Sequence, residues 1–221
     1  MKKVILLLTS FISVTAFSQE EVKSSSDAKF GIKGGLNYST VTKGNFEEGL
    51  DPRTSFYIGF VGEIPLIGNS ISLQPEILYS RQGFENNFVF LGTNYKEEYQ
   101  VDYINIPVLL KLKAGNVLSF EGGPQFGLKI NEKVVSNNSE VERDDINEFD
   151  TALAGGVSLN FNEFFISGRY TYSLNEIIKD SNSKNSVFQV GVGVRFWSKI
   201  KYKRVLFLLK SDSLRFIFYR L

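Results

Sequence analysis

The sequence predicts an all-β fold: an eight-stranded antiparallel up-and-down transmembrane β-barrel, of the size of the smallest outer-membrane barrels. Three observations lead to this prediction. Eight segments alternate large apolar residues with small or polar ones, which is the period of a β-strand. The connections between these segments alternate between long and short, and the first residues have the pattern of an export signal.

The predicted strands are close to or above the roughly 9 to 11 residues that a tilted strand needs to cross a bilayer. They span residues 29–39, 54–64, 70–84, 99–113, 117–130, 150–161, 164–173 and 186–196. Long connections at 40–53, 85–98, 131–149 and 174–185 alternate with tight turns at 65–69, 114–116 and 162–163. Outer-membrane barrels place all short turns at one end, in the periplasm, and all long loops at the other.

The last predicted strand has the clearest alternation in the chain. One face carries Phe188, Val190, Val192, Val194 and Phe196, and the other carries Gln189, Gly191, Gly193 and Arg195. A strand with one apolar face, last of eight, would pair with the first strand and leave no open edge in lipid. We therefore expect it to close the barrel.

The chain divides into four predicted segments. Residues 1–18 form a signal peptide, with Lys2 and Lys3 before an apolar run and Ala16-Phe17-Ser18 before a cleavage site at Gln19. An N-terminal segment at 19–28 precedes the outer-membrane barrel at 29–196, and residues 197–221 form a basic C-terminal extension. The expected location is the cell outer membrane.

The 221 residues include no His and no Cys. An imidazole base, a thiolate nucleophile, a disulfide and the usual zinc sites are therefore excluded. We expect no enzymatic activity, no cofactor and no metal. An outer-membrane hydrolase is improbable for the same reason.

A soluble eight-stranded barrel with its apolar face inward, as in lipocalins, is the alternative. The polar faces carry Gly, Ala, Ser and single charges, which suit a narrow interior better than a water-facing surface. Two aromatic belts are also predicted, as expected at the two bilayer interfaces. The outer belt is Tyr38, Tyr57, Tyr79, Tyr99, Tyr103, Tyr170 and Tyr172, and the inner belt is Phe30, Phe120, Phe161, Phe164, Phe196 and Trp197.

The alternation points seven charged side chains into the lumen. They are Lys33, Glu63, Glu76, Lys111, Glu121, Arg169 and Arg195. These residues could line a polar pathway or supply a pair of catalytic carboxylates. Mixed charges in a narrow interior favour ion pairing, because a buried charge without a partner is costly, so we expect an ion network that fills the lumen.

Two further features have more than one interpretation. Pro75, Pro107 and Pro124 lie inside three consecutive strands and predict a bulge or kink, which could shape the barrel or form a lateral binding patch. The acidic connection at 131–149 could bind calcium, whose ligands are oxygens, but a solvated loop kept away from anionic lipopolysaccharide is the simpler expectation. The sequence contains no EF-hand or phosphate-loop pattern.

Three strands carry recognisable motifs. Residues 72–80 read Ser-Leu-Gln-Pro-Glu-Ile-Leu-Tyr-Ser, residues 103–111 read Tyr-Ile-Asn-Ile-Pro-Val-Leu-Leu-Lys, and Gly122-Gly123-Pro124 follows. With Gly31 to Asn37 and Arg169-Tyr170, these motifs resemble the PorT-family outer-membrane β-barrel domain of Bacteroidetes over about residues 29–196. The resemblance implies the barrel and, through the family's name, a link to protein secretion and gliding. It implies no catalytic residues, and family members usually end at the final aromatic residue.

The expected function is that of a structural or interaction protein acting through its extracellular loops. The alternatives are an accessory component of a secretion or gliding apparatus, which rests on family analogy, and a narrow channel. Expected partners are outer-membrane lipid and lipopolysaccharide, the barrel-assembly machinery and other envelope proteins, but no nucleic acid. Charge separates the extension from the rest of the predicted mature chain: residues 197–221 carry +6 and residues 19–196 carry −7.

Overall fold

The computed structural model describes residues 28–42, 50–68, 70–90, 93–136, 139–142, 145–179 and 181–197. The predicted signal peptide, nearly all of the N-terminal segment and the extension after Trp197 lie outside these residues. The strands are β1 (Lys29–Val41), β2 (Asp51–Ile67), β3 (Ile71–Phe90), β4 (Thr93–Ala114), β5 (Leu118–Ser136), β6 (Ser139–Glu142), β7 (Phe149–Phe161), β8 (Phe164–Ser173) and β9 (Asn185–Trp197).

Eight of these strands form a closed antiparallel ring, which confirms the predicted fold class. Each barrel strand pairs with the next along the chain, and β9 pairs with β1 from Lys29↔Trp197 to Val41↔Asn185. The short β6 pairs with the end of β5, at residues 133–136, and is not one of the eight. No helix in the described part of the chain has the length and apolar character to cross a membrane.

Two predicted loops are partly strand. The prediction that residues 85–98 form a loop is wrong, because β3 and β4 stay paired from Glu85↔Glu98 to Phe90↔Thr93. Strand β5 likewise continues to Ser136 rather than ending at residue 130. These extensions lack the strict alternation of apolar and polar residues that marks a membrane strand, so only their backbone pairing defines them.

The three tight turns each contain a residue with positive φ. Gly68 follows β2, Gly115 follows β4 and Asn162 follows β7, with φ of 52°, 74° and 53°. This conformation suits glycine and is tolerated by asparagine, and it allows a chain to reverse within two or three residues. We call this end of the barrel the turn end and the opposite end the loop end; by the rule for outer-membrane barrels the turn end faces the periplasm.

The outward face is apolar and the inward face is polar. Phe60, Leu36 and Val192 expose 68%, 60% and 61% of their surface, whereas the inward Lys33, Glu76 and Arg169 expose 3% or less. A water-soluble barrel would show the reverse. The exposed side chains therefore form the surface that lipid covers.

The predicted tyrosine belt is wrong at three positions. Tyr99 is half-buried and stacks on the buried Phe84 ring, with 4.5 Å between the ring centres. Tyr57 and Tyr103 are buried inside the barrel, because they share the inward face of their strands with Gly59 and Asn105. Tyr38 and Tyr170 are exposed as predicted. The height of a residue along a strand does not decide which face it occupies, and the alternation places the rings of Tyr57 and Tyr103 in the lumen.

The three strand prolines interrupt the ladder without shifting it. Between β3 and β4 the pairs stop at Pro75↔Val108 and resume at Leu78↔Asn105 in the same register. Between β4 and β5 they stop at Pro107↔Gln125 and resume at Leu110↔Gly122. A missing N–H donor explains each gap. Because the register is unchanged across these gaps, the prolines produce no bulge at these positions.

Candidate functional site

The centre of the lumen contains a buried arginine between two carboxylates. Arg169 of β8 donates from Nη1 and Nη2 to the two oxygens of Glu76 on β3, at 2.8 and 2.7 Å. Its Nε donates to Oε1 of Glu121 on β5, at 2.9 Å. This bidentate geometry is the strongest form of guanidinium–carboxylate pairing, and it links three strands across the interior.

Lys33 and Gln74 complete this central layer. The Lys33 ammonium lies 3.4 Å from both oxygens of Glu76 and 5.6 Å from the centre of the Tyr57 ring. Gln74 donates to Oε1 of Glu76 at 2.8 Å and to Oε2 of Glu121 at 3.0 Å. Two cations and two carboxylates thus balance at the middle of the barrel.

The remaining predicted lumen residues form a second group near the turn end. Glu63 lies between Lys111, at 3.5 Å, and the Nε of Arg195, at 3.3 Å. Lys113 also forms an ion pair with Glu63. Sequence reasoning missed Lys113, although its position two residues after Lys111 gives it the same inward face.

Neutral polar side chains occupy the lumen between the central layer and the loop end. Asn37 donates to the Ser80 hydroxyl at 3.0 Å and accepts from Gln189 at 2.8 Å. Gln82 accepts from the amide of Asn185. Their inward alternation was visible in the sequence, but their pairing depends on which strands meet across the lumen.

An apolar cluster closes the loop end, and sequence reasoning did not find it. It consists of Val41, Phe84, Val101, Tyr103, Ile146 and Ile177, all at most 6% exposed. Ile146 and Ile177 come from the connections before β7 and before β9. A cavity with room for about one water remains beneath them, lined partly by Gln82, Tyr103 and Asn185.

A charged clamp holds Ile146 in this cluster. Glu132 of β5 accepts hydrogen bonds from the backbone N–H groups of Asp145 and Ile146, at 3.1 and 3.2 Å. Lys129 donates to the Ile146 carbonyl and to Glu132, both at 2.6 Å. The strand extension of β5 therefore fixes the loop that covers the lumen.

Two ion pairs brace the rim of the loop end. Arg81 of β3 donates to both oxygens of Asp102 on β4, at 2.8 and 3.2 Å. Arg53 of β2 pairs with Glu98 of β4. Burial alone would raise the pKa of Glu98, but the hydrogen bonds from Arg53 and Gln100 and the positive charges of Arg53 and Lys96 together outweigh it, so the pKa lies below its ordinary value.

The small residues of the closing strand leave space for two aromatic rings. A side chain at Gly191 would overlap the Tyr57 hydroxyl, and one at Gly193 would overlap the Phe165 ring. Phe165 in turn lies under the Arg195 guanidinium, 4.0 Å from the ring centre. The face of β9 that carries Gly191 and Gly193 thus packs against rings inside the lumen, while Phe188, Val190, Val192 and Phe196 are exposed on its other face.

The acidic connection at 131–149 shows no metal site among its described residues. No group of three or more Asp or Glu residues in the described part of the chain could hold a metal ion. The side chains of Glu140, Glu142 and Asp144 lie outside that part. The solvated loop stays the prediction for this connection, with calcium binding as its untested alternative.

Comparisons with solved structures return small outer-membrane barrels. The attachment invasion locus protein Ail of Yersinia pestis, in complex with the heparin analogue sucrose octasulfate, is 17% identical with a TM-score of 0.50. Neisserial surface protein A is 14% identical with a TM-score of 0.49. Each alignment covers 77% of this chain and 100% of the other. At 17% identity the likeness to Ail shows the fold alone.

The family comparison covers most of the chain. The model of the outer membrane protein β-barrel domain matches residues 17–179, from before β1 to the connection after β8. No curated protein matches the chain. The closed ring, its apolar outer face and this match agree with one another and with a location in the outer membrane. The chain therefore belongs to the outer membrane protein β-barrel domain family.

Proposed function

We propose that this protein is a non-enzymatic interaction protein of the cell surface. Side chains fill the lumen of its barrel, and its loop end binds a partner. The observation that carries the proposal is the packing of the lumen. The seven predicted charged residues are at most 6% exposed, and the apolar cluster covers them at the loop end. A barrel of eight strands leaves little space for water or solute beside such side chains.

The loop end offers a platform for binding. Strands β3, β4 and β5 have 20, 22 and 19 residues, about twice the length needed to cross a bilayer. Together with β6 they continue as an antiparallel sheet above the membrane-spanning part. A paired sheet holds its surface in a fixed geometry at a low entropic cost on binding, as a recognition surface requires.

The charge of the loop end favours a cationic partner. The segments 43–53, 85–98, 131–149 and 174–184 contain fourteen acidic and seven basic residues. Ail was solved with a sulfated heparin analogue, but a polysulfate would be repelled by this surface. A basic protein surface is the complementary partner, and attraction between opposite charges would also speed its association.

A place in a secretion or gliding apparatus is the more specific form of this proposal. It rests on the PorT-like motifs of β3 and β4 and on the resemblance to proteins of Bacteroidetes. Such a role would need a stable contact with another envelope protein.

The proposed mature chain begins at Gln19, after removal of a signal peptide at 1–18.

Two measurements test the interaction proposal. The purified full chain in a planar bilayer should show no steady conductance, and a discrete single-channel conductance would favour the narrow channel instead. A variant that joins the paired residues Glu85 and Glu98 through Asn-Gly should keep the folded barrel but lose crosslinks to envelope proteins on intact cells. Crosslinks unchanged in this variant would contradict a role for the β3–β4 platform.

A further inference from the structure

Three cations share one carboxylate at the turn end of the lumen. Lys111, Lys113 and Arg195 each approach a Glu63 oxygen within 3.5 Å. The central layer, by contrast, pairs two cations with two carboxylates. The turn-end cluster therefore carries a formal charge of +2, in a part of the barrel where lipid and protein surround it.

Arg195 has hydrogen-bonding capacity that the described residues do not use. Its Nη1 donates to Asn160 at 2.9 Å, but Nη2 is buried without a hydrogen-bond partner among the described residues, and Nε lies 3.3 Å from a Glu63 oxygen without making a hydrogen bond. The residue is only 5% exposed. Buried donors of this kind are normally met by a water or an ion, and a buried guanidinium is stable only when its charge is compensated.

Two buried serine hydroxyl groups near the turn-end cluster also lack a hydrogen-bond partner among the described residues. Ser72 and Ser158 are at most 1% exposed, and their Oγ atoms have no hydrogen-bond partner among the described residues. Ser72 is the register partner of Lys111, and Ser158 lies two residues before Asn160 on the same face of β7. Water could meet these hydroxyls, but it would leave the +2 charge uncompensated.

The cluster is reachable from the turn end. The Lys113 side chain is 24% exposed, and β4 ends one residue later at Ala114. Lys111 behind it is fully buried. A ligand entering from this end would meet Lys113 first and Arg195 further inside.

We propose that the turn end of the lumen binds one small oxyanion, of the phosphate or carboxylate class. The planar fork of Arg195 fits two oxygens of such a group, and Lys113 adds a mobile positive charge at the entrance. The hydroxyls of Ser72 and Ser158 supply further donors. The oxyanion could be free in the periplasm or be the phosphate head group of a lipid in the inner leaflet, because the recognition chemistry is the same.

The test uses the full chain in zwitterionic detergent, with inorganic phosphate titrated against chloride at constant ionic strength. Phosphorus NMR line widths report binding, and the gel mobility of heated samples reports whether the barrel is folded. Phosphate should bind saturably to the unchanged chain. Affinity should fall about tenfold or more in Arg195→Gln and Lys113→Gln, since each loses a charge-assisted contact, and should stay unchanged in the loop-end control Arg81→Gln.

Glu63→Gln is the most informative variant, because it should strengthen phosphate binding rather than weaken it. It removes the carboxylate that competes for the three cations, so phosphate should bind more tightly and protect the folded barrel against heat more than in the unchanged chain.

If Arg195→Gln does not fold, the Lys113→Gln variant decides the test, because the Lys113 side chain is partly exposed. Displacement of phosphate by phosphatidylglycerol would assign the site to a lipid head group, and persistence would assign it to a soluble anion. Absence of saturable binding, or equal binding in Lys113→Gln, would overturn the proposal.

Discussion

Arg169 shows how the interior of this barrel depends on single charged residues. Its guanidinium makes four hydrogen bonds to Glu76 and Glu121, so its removal would leave two buried carboxylates with Lys33 as the remaining cation of that layer. Removing one partner of a buried ion pair costs more than the pair itself contributes. The charge balance is therefore a local requirement of folding.

We expect Arg169→Ala to lower the free energy of unfolding by about 3 to 5 kcal/mol. Arg81→Ala, which breaks a partly exposed pair with Asp102, should cost about 1 kcal/mol or less. Urea titration followed by the gel mobility of the folded barrel measures both. Adding Glu121→Gln to Arg169→Met should recover part of the loss, since charge balance returns. Equal losses for Arg169→Ala and Arg81→Ala would contradict an ion network that supports the fold.

At the scale of the element, the membrane-spanning strands were predictable and the extensions were not. Strand β8 was predicted with both of its ends, and β9 to within one residue at each end, because lipid on one face and a narrow lumen on the other impose strict alternation. The extensions of β3, β4 and β5 exceed the length that crosses a bilayer and lack that alternation. The inward direction of the lumen charges could also be predicted, but their partners could not, since Glu76 and Arg169 are 93 residues apart in the chain.

The closing strand provides a test of packing inside the lumen. Gly191→Val would place a branched side chain against Tyr57, and we expect a loss of about 1 to 3 kcal/mol in unfolding free energy. Val192→Leu, on the lipid face of the same strand, is the matched control and should have little effect. Because Tyr57→Ala removes one of the two groups in conflict, the other being the Gly34 carbonyl, the loss in the double variant should be smaller than the sum of the losses in Gly191→Val and Tyr57→Ala. A loss equal to that sum would show that steric conflict with Tyr57 is not the cause.

The absence of cysteine from the chain gives a clean background for testing orientation. Single cysteines replacing Asp145 and Lys179, both exposed at the loop end, should react with an impermeant maleimide on intact cells. A cysteine replacing Asn116, exposed at the turn end, should react only after the outer membrane is opened. Labelling of the Asn116 variant alone on intact cells would reverse the orientation.

At the scale of the whole molecule, near neutrality hides sequence segments of opposite charge. The full chain has a formal charge of +1, yet the loop segments carry −7 and residues 197–221 carry +6. Within the barrel, the cluster around Glu63 adds positive charge at the turn end of the lumen. Segments of opposite charge suit partners of opposite charge.

The barrel should fold without the extension, because its last strand is already fully paired. Lys29 of β1 pairs with Trp197, and the ladder continues to Val41 and Asn185, so no open edge remains in lipid. A chain that ends at Trp197 should therefore insert and keep the heat-modifiable gel mobility of a folded barrel. A chain that ends at Gly191 loses half of β9, exposes the edge of β1 and should not assemble. If the Trp197 truncation also failed while the full chain assembled, the basic extension would be part of the fold, and eight strands would not be enough to close it.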